Sequence, residues 1–260
     1  MRIAFTIILN GLHHLKHNNY YQYLIDNLDY WIIVEGASKS NGSTSWCKQM
    51  PSEYHDNGKS IDGTREFVLD LQKNNSNVVC RINESGLWNS KDDQVNCACD
   101  VINSISKNCF VWEIDADEQW NIDDMKLAEQ KLIQNNGKTG TFTCNYFLGK
   151  NIVAKGQWGD GTNIPYTRLW NWNNDSFKRH EPPQLKNGDG IVISLSQKFN
   201  HYAYYFEQDV KFKDLWYSGH EGVYNGWKRL QNETKFPQHI SLLFSKGGMW
   251  ANTHTYIHKI

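Results

Sequence analysis

The 260-residue chain lacks the features that mark several common protein classes. No apolar stretch nears the ~20 residues needed to cross a bilayer, and mean hydropathy is −0.67, so no membrane span is expected. Charge of one sign is lacking too: Lys+Arg number 27 and Asp+Glu 28, a net of −1. Bulk attraction to phosphate needs a basic excess, so nucleic acid is not an expected partner. Internal repeats and low-complexity tracts are missing. The apolar run Ile3–Leu9 is short, ends at Asn10-Gly11 and carries no small-residue cleavage site. It therefore reads as a strand and not as a secretory signal, and a cytoplasmic location is expected. Cysteines number six, and the Cys97/Cys99 spacing fits neither zinc-ribbon nor thioredoxin patterns. Reduced thiols in the core are the expectation.

Aromatic residues are what the chain does have: 11 Trp, 13 Tyr and 11 Phe, or 13%. Many sit among Asn, Gly and charged residues, which makes sugar stacking one explanation. The hydrophobic content of 39% is enough for a core.

Along the first half, strands and helices alternate. Strands are expected over Ile3–Leu9, Tyr30–Glu35, Asn77–Ile82 and Cys109–Ile114. Helical spacing is expected over Asn18–Leu28, from Asp62 through Leu71, from Lys91 through Ile105, and over Asp123–Gln134. Such alternation implies a mostly parallel sheet covered on both faces, which binds ligands at the carboxyl ends of its strands. Residues 36–60 form a polar loop of unusual length, expected to be mobile and to close over a ligand. The second half has strand-like segments at Thr139–Leu148, Tyr166–Trp172 and Ile191–Leu195, then a helical tail from about His201. The length suits one large domain, with a nucleotide-binding half over 1–120 and an acceptor-binding half over 121–260.

The sharpest signal is Trp112-Glu113-Ile114-Asp115-Ala116-Asp117-Glu118. An apolar strand delivers an Asp-x-Asp and a further acid to its C-terminal end. Like charges so close repel unless a cation or hydrogen-bond donors compensate them. Mg²⁺ or Mn²⁺ suits such an oxygen-rich site, bound by one or two carboxylates plus substrate phosphates. The alternative, acids favouring a helix N-terminus, is already served by Asp123 and Asp124.

These features, in this order, resemble the GT-A type of nucleotide-sugar glycosyltransferase, in its broad family-2-like group, over roughly residues 1–230. Asn10-Gly11 after the first strand, and YWIIVEGAS with Glu35, resemble the nucleoside-binding edge. Lys91 with Asn96 resembles the donor-contacting segment. WEIDADEQW resembles the metal-binding DxD. Arg168-Leu169-Trp170, then Arg179-His180-Glu181-Pro182, resemble the acceptor half. His201-Tyr202-Ala203-Tyr204 with Lys211, Lys213 and Trp216-Tyr217 resembles the tail.

The resemblance implies a Rossmann-like mixed sheet flanked by helices, with an α+β acceptor side. It implies a nucleoside-diphosphate sugar donor, UDP favoured, a glycan acceptor and a Mn²⁺ or Mg²⁺ cofactor. Donor binding falls to Asn10, Gly11, Glu35, Arg65, Lys91 and Asp115. Metal binding falls to Asp115, Asp117 and His201, with His220, His254 and His258 as competing histidines. The general base would be Glu181, with Asp160 second; pairing of Glu181 with Arg168 or Arg179 is the bland reading. Acceptor binding would involve Trp158, Arg168, Trp170 and His180. Trp172, Trp216 and Trp227 could also stack on sugars, although core packing suits each Trp as well. The family's usual Glu-Asp pair is His180-Glu181 here, which leaves the identity of the base and the stereochemistry open.

Three rivals are weaker. A carbohydrate-binding module would explain the tryptophans but not the acidic strand end. A sugar nucleotidylyltransferase wants a Gly-rich phosphate loop after the first strand, where this chain has Asn10-Gly11-Leu12-His13-His14. A glycoside hydrolase needs two carboxylates flanking a glycosidic bond, whereas adjacent acids look like a metal site.

Overall fold

In a computed structural model of the chain, residues 1–157, 165–244 and 253–260 are described. The first half runs β1 (Arg2–Ile8), α1 (Leu12–Lys16), α2 (Tyr20–Asn27), β2 (Tyr30–Glu35), α3 (Thr64–Asn74), β3 (Val78–Ile82), α4 (Lys91–Ile105) and β4 (Asn108–Glu113). The second runs β5 (Glu118–Gln119), α5 (Ile122–Gln134), β6 (Thr139–Gly149), β7 (Ile152–Gly156), β8 (Tyr166–Asn173), β9 (Phe177–Arg179), β10 (Gln184–Leu185), β11 (Val192–His201), α6 (Glu207–Trp216), α7 (Val223–Gln231), β12 (Gln238–His239) and β13 (Thr255–Lys259).

The architecture is mixed α/β. One sheet of 11 strands carries the path β12-β13-β7-β6-β8-β4-β1-β2-β3, with β11 and β5 joined beside β6. Strands β3, β2, β1 and β4 are parallel neighbours; β8, β6, β7 and β13 then pair antiparallel in turn. The inner parallel strands β1 and β2 bury both faces, which is why they read as nearly unbroken apolar runs. Along β1, Ile3 and Phe5 pack into one core layer, while Ala4 and Ile8 pack into the other. Side chains capture the helix starts. Ser90 accepts from Asp93 N at 3.0 Å ahead of α4, and Asn121 accepts from the Asp123 and Asp124 amides ahead of α5. Such caps satisfy amides that have no partner inside the helix. No two of the six cysteines are joined in a disulfide, and five of the six are buried.

Three expectations change. The expected helical tail from His201 starts later: β11 continues through His201, and the helices α6 and α7 follow. The missed signal is period two, since Leu195, Gln197, Phe199 and His201 are the buried positions. Nor does the tail stay helical, because β13 returns to the sheet and pairs with β7. Finally, the loop 36–60 is tied down at many points, not left loose. Ala37 N donates to Gly58 O, Lys39 N to Trp88 O and Lys48 N to Trp216 O. Its Ser43 bonds Asp92 at the start of α4 through amide and hydroxyl, at 2.8 and 2.5 Å.

Candidate functional site

Strand order runs outward from β1 through β2 to β3 on one side and to β4 on the other. The carboxyl ends of β1 and β4 thus border the crevice where open α/β sheets bind ligands. The segments that follow them touch. A Cβ placed on Gly11 would make ordinary contact with the Ala116 Cβ at 3.5 Å and would push aside the Ile8 side chain, 2.7 Å away.

The acids after β4 surround one guanidinium. Arg168, buried on β8, lies 2.6 Å from Asp115 Oδ2, 2.9 Å from Glu118 Oε1 and 3.5 Å from Glu113 Oε1. His180 Nε2 meets Glu113 Oε1 at 2.7 Å. Burial works against ionisation of Glu113, but Arg168 and His180 outweigh it and hold its carboxyl below the usual range. For His180, burial is likewise outweighed by Glu113, which favours the imidazolium. Glu118 goes the other way. Burial, helped by Asp115 and Asp117, pushes it up to about 8 despite Arg168, because one guanidinium is shared among three carboxylates. The compensation that the acidic cluster demands is therefore largely supplied by the chain itself.

Glu118 has a measurable consequence. Between its ordinary 4.5 and about 8, the folded chain keeps a proton that the unfolded chain has released. Its contribution to stability must then fall as pH rises through that window. Glu118→Gln should gain on the native chain by up to roughly 1.4 kcal/mol per pH unit across it. Thermal melts at several pH values check this; a difference independent of pH would contradict it.

Asp117 stands apart from Arg168. Its Oδ1 lies 3.6 Å from His201 Nε2, and its Oδ2 lies 3.9 Å from Lys213 Nζ. Burial opposes its charge, but His201 and Lys213 hold the carboxyl far below the usual range. Lys213 belongs to α6, where Asp209, Phe212, Lys213 and Trp216 are spaced i, i+3, i+4, i+7 and so share one face. Phe212, Trp216 and the following Tyr217 wall a pocket of about 160 Å³ with Ile7, Ile8 and Leu9 at the end of β1, Gly36 to Ser38 after β2, Met50, Lys91 and Gln94. The Lys91 ammonium sits 5.1 Å from the centre of the Trp216 ring.

The expected site residues separate into groups. Lys91 lines the pocket, while Asp117 and His201 face each other at the strand ends. Asp115 is engaged by Arg168. Among the described residues, Asp115, Asp117 and His201 do not gather their ligand atoms within 4.8 Å of one another. His220 bonds the Tyr204 hydroxyl at 2.8 Å, and His258 lies in β13 opposite Val153.

Glu35 is buried, accepting from Ser60 N at 2.8 Å and facing Arg65 Nη1 at 3.3 Å. Arg65 also reaches Glu84. These two residues hold the long loop and the strand end. Asn10 does the same with both ends of its amide, donating to Tyr54 O and accepting from Ile61 N. Asn96 exchanges two bonds with the Phe177 backbone. Trp170 and Trp172 are fully buried against Phe177, and His180 is buried as well, so none of the three presents a face to a sugar. Glu181 is exposed and forms no ion pair among the described residues; Arg179 reaches its carbonyl, not its carboxylate. Asp160 and Trp158 lie outside the described residues. Of the aromatic wall of α6, Trp216 and Tyr217 stand out in the sequence, whereas Phe212, one turn before Trp216, is what a reading of motifs misses.

No family model matches the chain, and no curated protein matches it. Solved structures of S. aureus TarS are similar at low level. TarS 1–349 in complex with UDP-GlcNAc gives a TM-score of 0.38 at 13% identity, over 57% of this chain and 36% of that one. Another TarS structure gives 0.42 at 12% identity, over 95% of this chain and 44% of that one. A mannose-6-phosphate isomerase from Helicobacter pylori gives 0.31 at 8% identity, over 98% of both chains. The chain thus spans well under half the length of the TarS chains. Likenesses of this depth bear on fold at most and carry no argument about chemistry.

Proposed function

We propose that the protein is a glycosyltransferase of GT-A type that moves a sugar from a nucleoside diphosphate to a glycan hydroxyl. The observation that supports this most is the pocket at the ends of β1 and β2. It offers an ammonium, Lys91, and a wall of Phe212, Trp216 and Tyr217, beside the acidic end of β4. Flat aromatic surfaces suit a nucleobase, and the ammonium suits a phosphate. Asp117 and His201 are the residues that would hold a divalent ion. Bound there, Mn²⁺ or Mg²⁺ would supply neutralisation of the charge that develops on the leaving diphosphate.

Glu181 is the base in this reading. Its carboxylate is exposed, and its charge reaches Tyr217 in the pocket wall. It would accept the proton of the acceptor hydroxyl as that oxygen bonds to the anomeric carbon, while the bond from that carbon to the diphosphate oxygen breaks. Attack from the face opposite the diphosphate inverts the anomeric centre.

Thermal shift and calorimetry with UDP, GDP and their sugars test the reading, with and without Mn²⁺. A ligand that binds only the folded chain raises its melting temperature, by an amount that grows with concentration. Stabilisation by at least one diphosphate, weakened by Trp216→Ala, is expected. No binding by any of them, with or without Mn²⁺, would overturn the proposal.

A further inference from the structure

Helix α1, directly after β1, carries adjacent histidines, and both point at a single carboxylate of α6. His13 Nε2 lies 2.9 Å from Asp209 Oδ1 and 3.2 Å from Oδ2, and His14 Nε2 lies 2.8 Å from Oδ2. The two imidazole centres are 4.3 Å apart. Among the described residues, this is the set of three in which ligand atoms from His, Cys, Asp or Glu all gather within 4.8 Å of one another. Neighbouring residues on a helix ordinarily diverge by about 100°, so convergence of both rings on one carboxylate is a specific arrangement.

We infer that His13, His14 and Asp209 form a three-ligand site for a divalent transition-metal ion of the Zn²⁺ type, separate from the Asp117–His201 pair. The donor set suits such an ion. Two imidazoles with one carboxylate and an open fourth position match the borderline metals, whereas Mg²⁺ prefers oxygen alone. Distance suits it too. Bonds of about 2.0–2.2 Å place ligand atoms roughly 3–3.5 Å apart, so the contacts of the two imidazoles with Asp209, at 2.8–3.2 Å, need to change by only a few tenths of an ångström, and the three ligand atoms already lie within 4.8 Å of one another.

The surroundings agree. His14 and Asp209 are nearly enclosed, and His13 is only slightly more open. The ring of Phe206 meets both imidazoles edge-on, at 5.0 and 5.1 Å, which limits water at the ion. Among the described residues no donor meets Nδ1 of His13, so its proton can sit there and leave the Nε2 lone pair free. Asp209 shares its helix with Phe212, Lys213 and Trp216, so an ion here would join α1 to the helix that walls the pocket.

Co²⁺ added to the full chain tests the inference without any nucleotide. One equivalent should bind and show visible d–d bands, and in soaked crystals its anomalous peak should lie between His13, His14 and Asp209. Asp117→Asn should keep this binding, while His14→Gln should weaken it by at least tenfold, with circular dichroism confirming that the variant is folded. The peak position needs no variant at all. A peak on Asp117 and His201 alone, an affinity unchanged by His14→Gln, or no uptake would each overturn the inference and leave the cluster a metal-free clamp.

Discussion

Arg168→Met should lower the stability of the protein by about 3–5 kcal/mol, the range for stripping the partner from a buried charge. The guanidinium contacts Glu113, Asp115 and Glu118 and is itself buried. Methionine keeps much of the apolar stem, so the measurement reads charge more than cavity. After the change Glu113 retains His180, whereas Glu118 retains only the indole N–H of Trp120 at 3.1 Å. Above about pH 8, where Glu118 ionises in the native chain, the added change Glu118→Gln should therefore recover part of the loss, a coupling that a double-mutant cycle isolates. Arg168→Lys should recover little, because one ammonium cannot fork between carboxylates. Urea unfolding measures the native chain and all four variants. A loss below about 1 kcal/mol, the value typical of an exposed pair, would show that the acids are compensated in some other way.

The second large effect is on transfer. Asp117→Asn should cut turnover by at least about 100-fold, the scale on which removing one stabiliser of developing charge acts, and should weaken diphosphate binding in Mn²⁺. Glu181→Gln should cut turnover by a similar or larger factor, within the 10²–10⁴ that a general base contributes, yet leave diphosphate binding unchanged. The pair separates two roles, since one residue acts on the donor and the other only on the acceptor proton. Initial rates with a nucleotide-sugar, alongside calorimetry with the diphosphate, give both readouts. Full turnover in Glu181→Gln would remove it as the base. Unchanged binding and turnover in Asp117→Asn would remove the metal role of the DxD.

Much of the parallel half is legible in the sequence. Strands β1, β2 and most of β4 are buried on both faces and so appear as short apolar runs, and edge strand β3 is short and apolar apart from Arg81, while α4 and α5 announce themselves through periodicity. The acidic end of β4 stands out because repulsion demands an explanation. Its main neutraliser does not stand out. Arg168 arrives from a strand about fifty residues later, and nothing local marks it as the partner of Asp115. Trp170 and Trp172 mislead for a similar reason: alternation with Asn171 and Asn173 looks like a half-exposed strand, yet Phe177 and α4 cover the Trp face. Glu35 and Asn10 occupy strand ends where ligands bind, but which way they turn depends on the long loop, whose bonds are tertiary. His13 and His14 read as two histidines in a turn until α6 brings Asp209 to them.

The two elements that embrace Asp117 differ in how they are held. His201 ends a strand that is hydrogen-bonded to β6 on one side and to β5 on the other, and exchange-resistant ladders of that kind open last. Lys213 and Trp216 ride on a ten-residue helix outside the sheet, held mainly by side chains. A ligand entering beside Asp117 is therefore expected to shift the helix side before the sheet side. Differences in residence time among ligands should then follow from how firmly α6 is fastened rather than from the sheet beneath it.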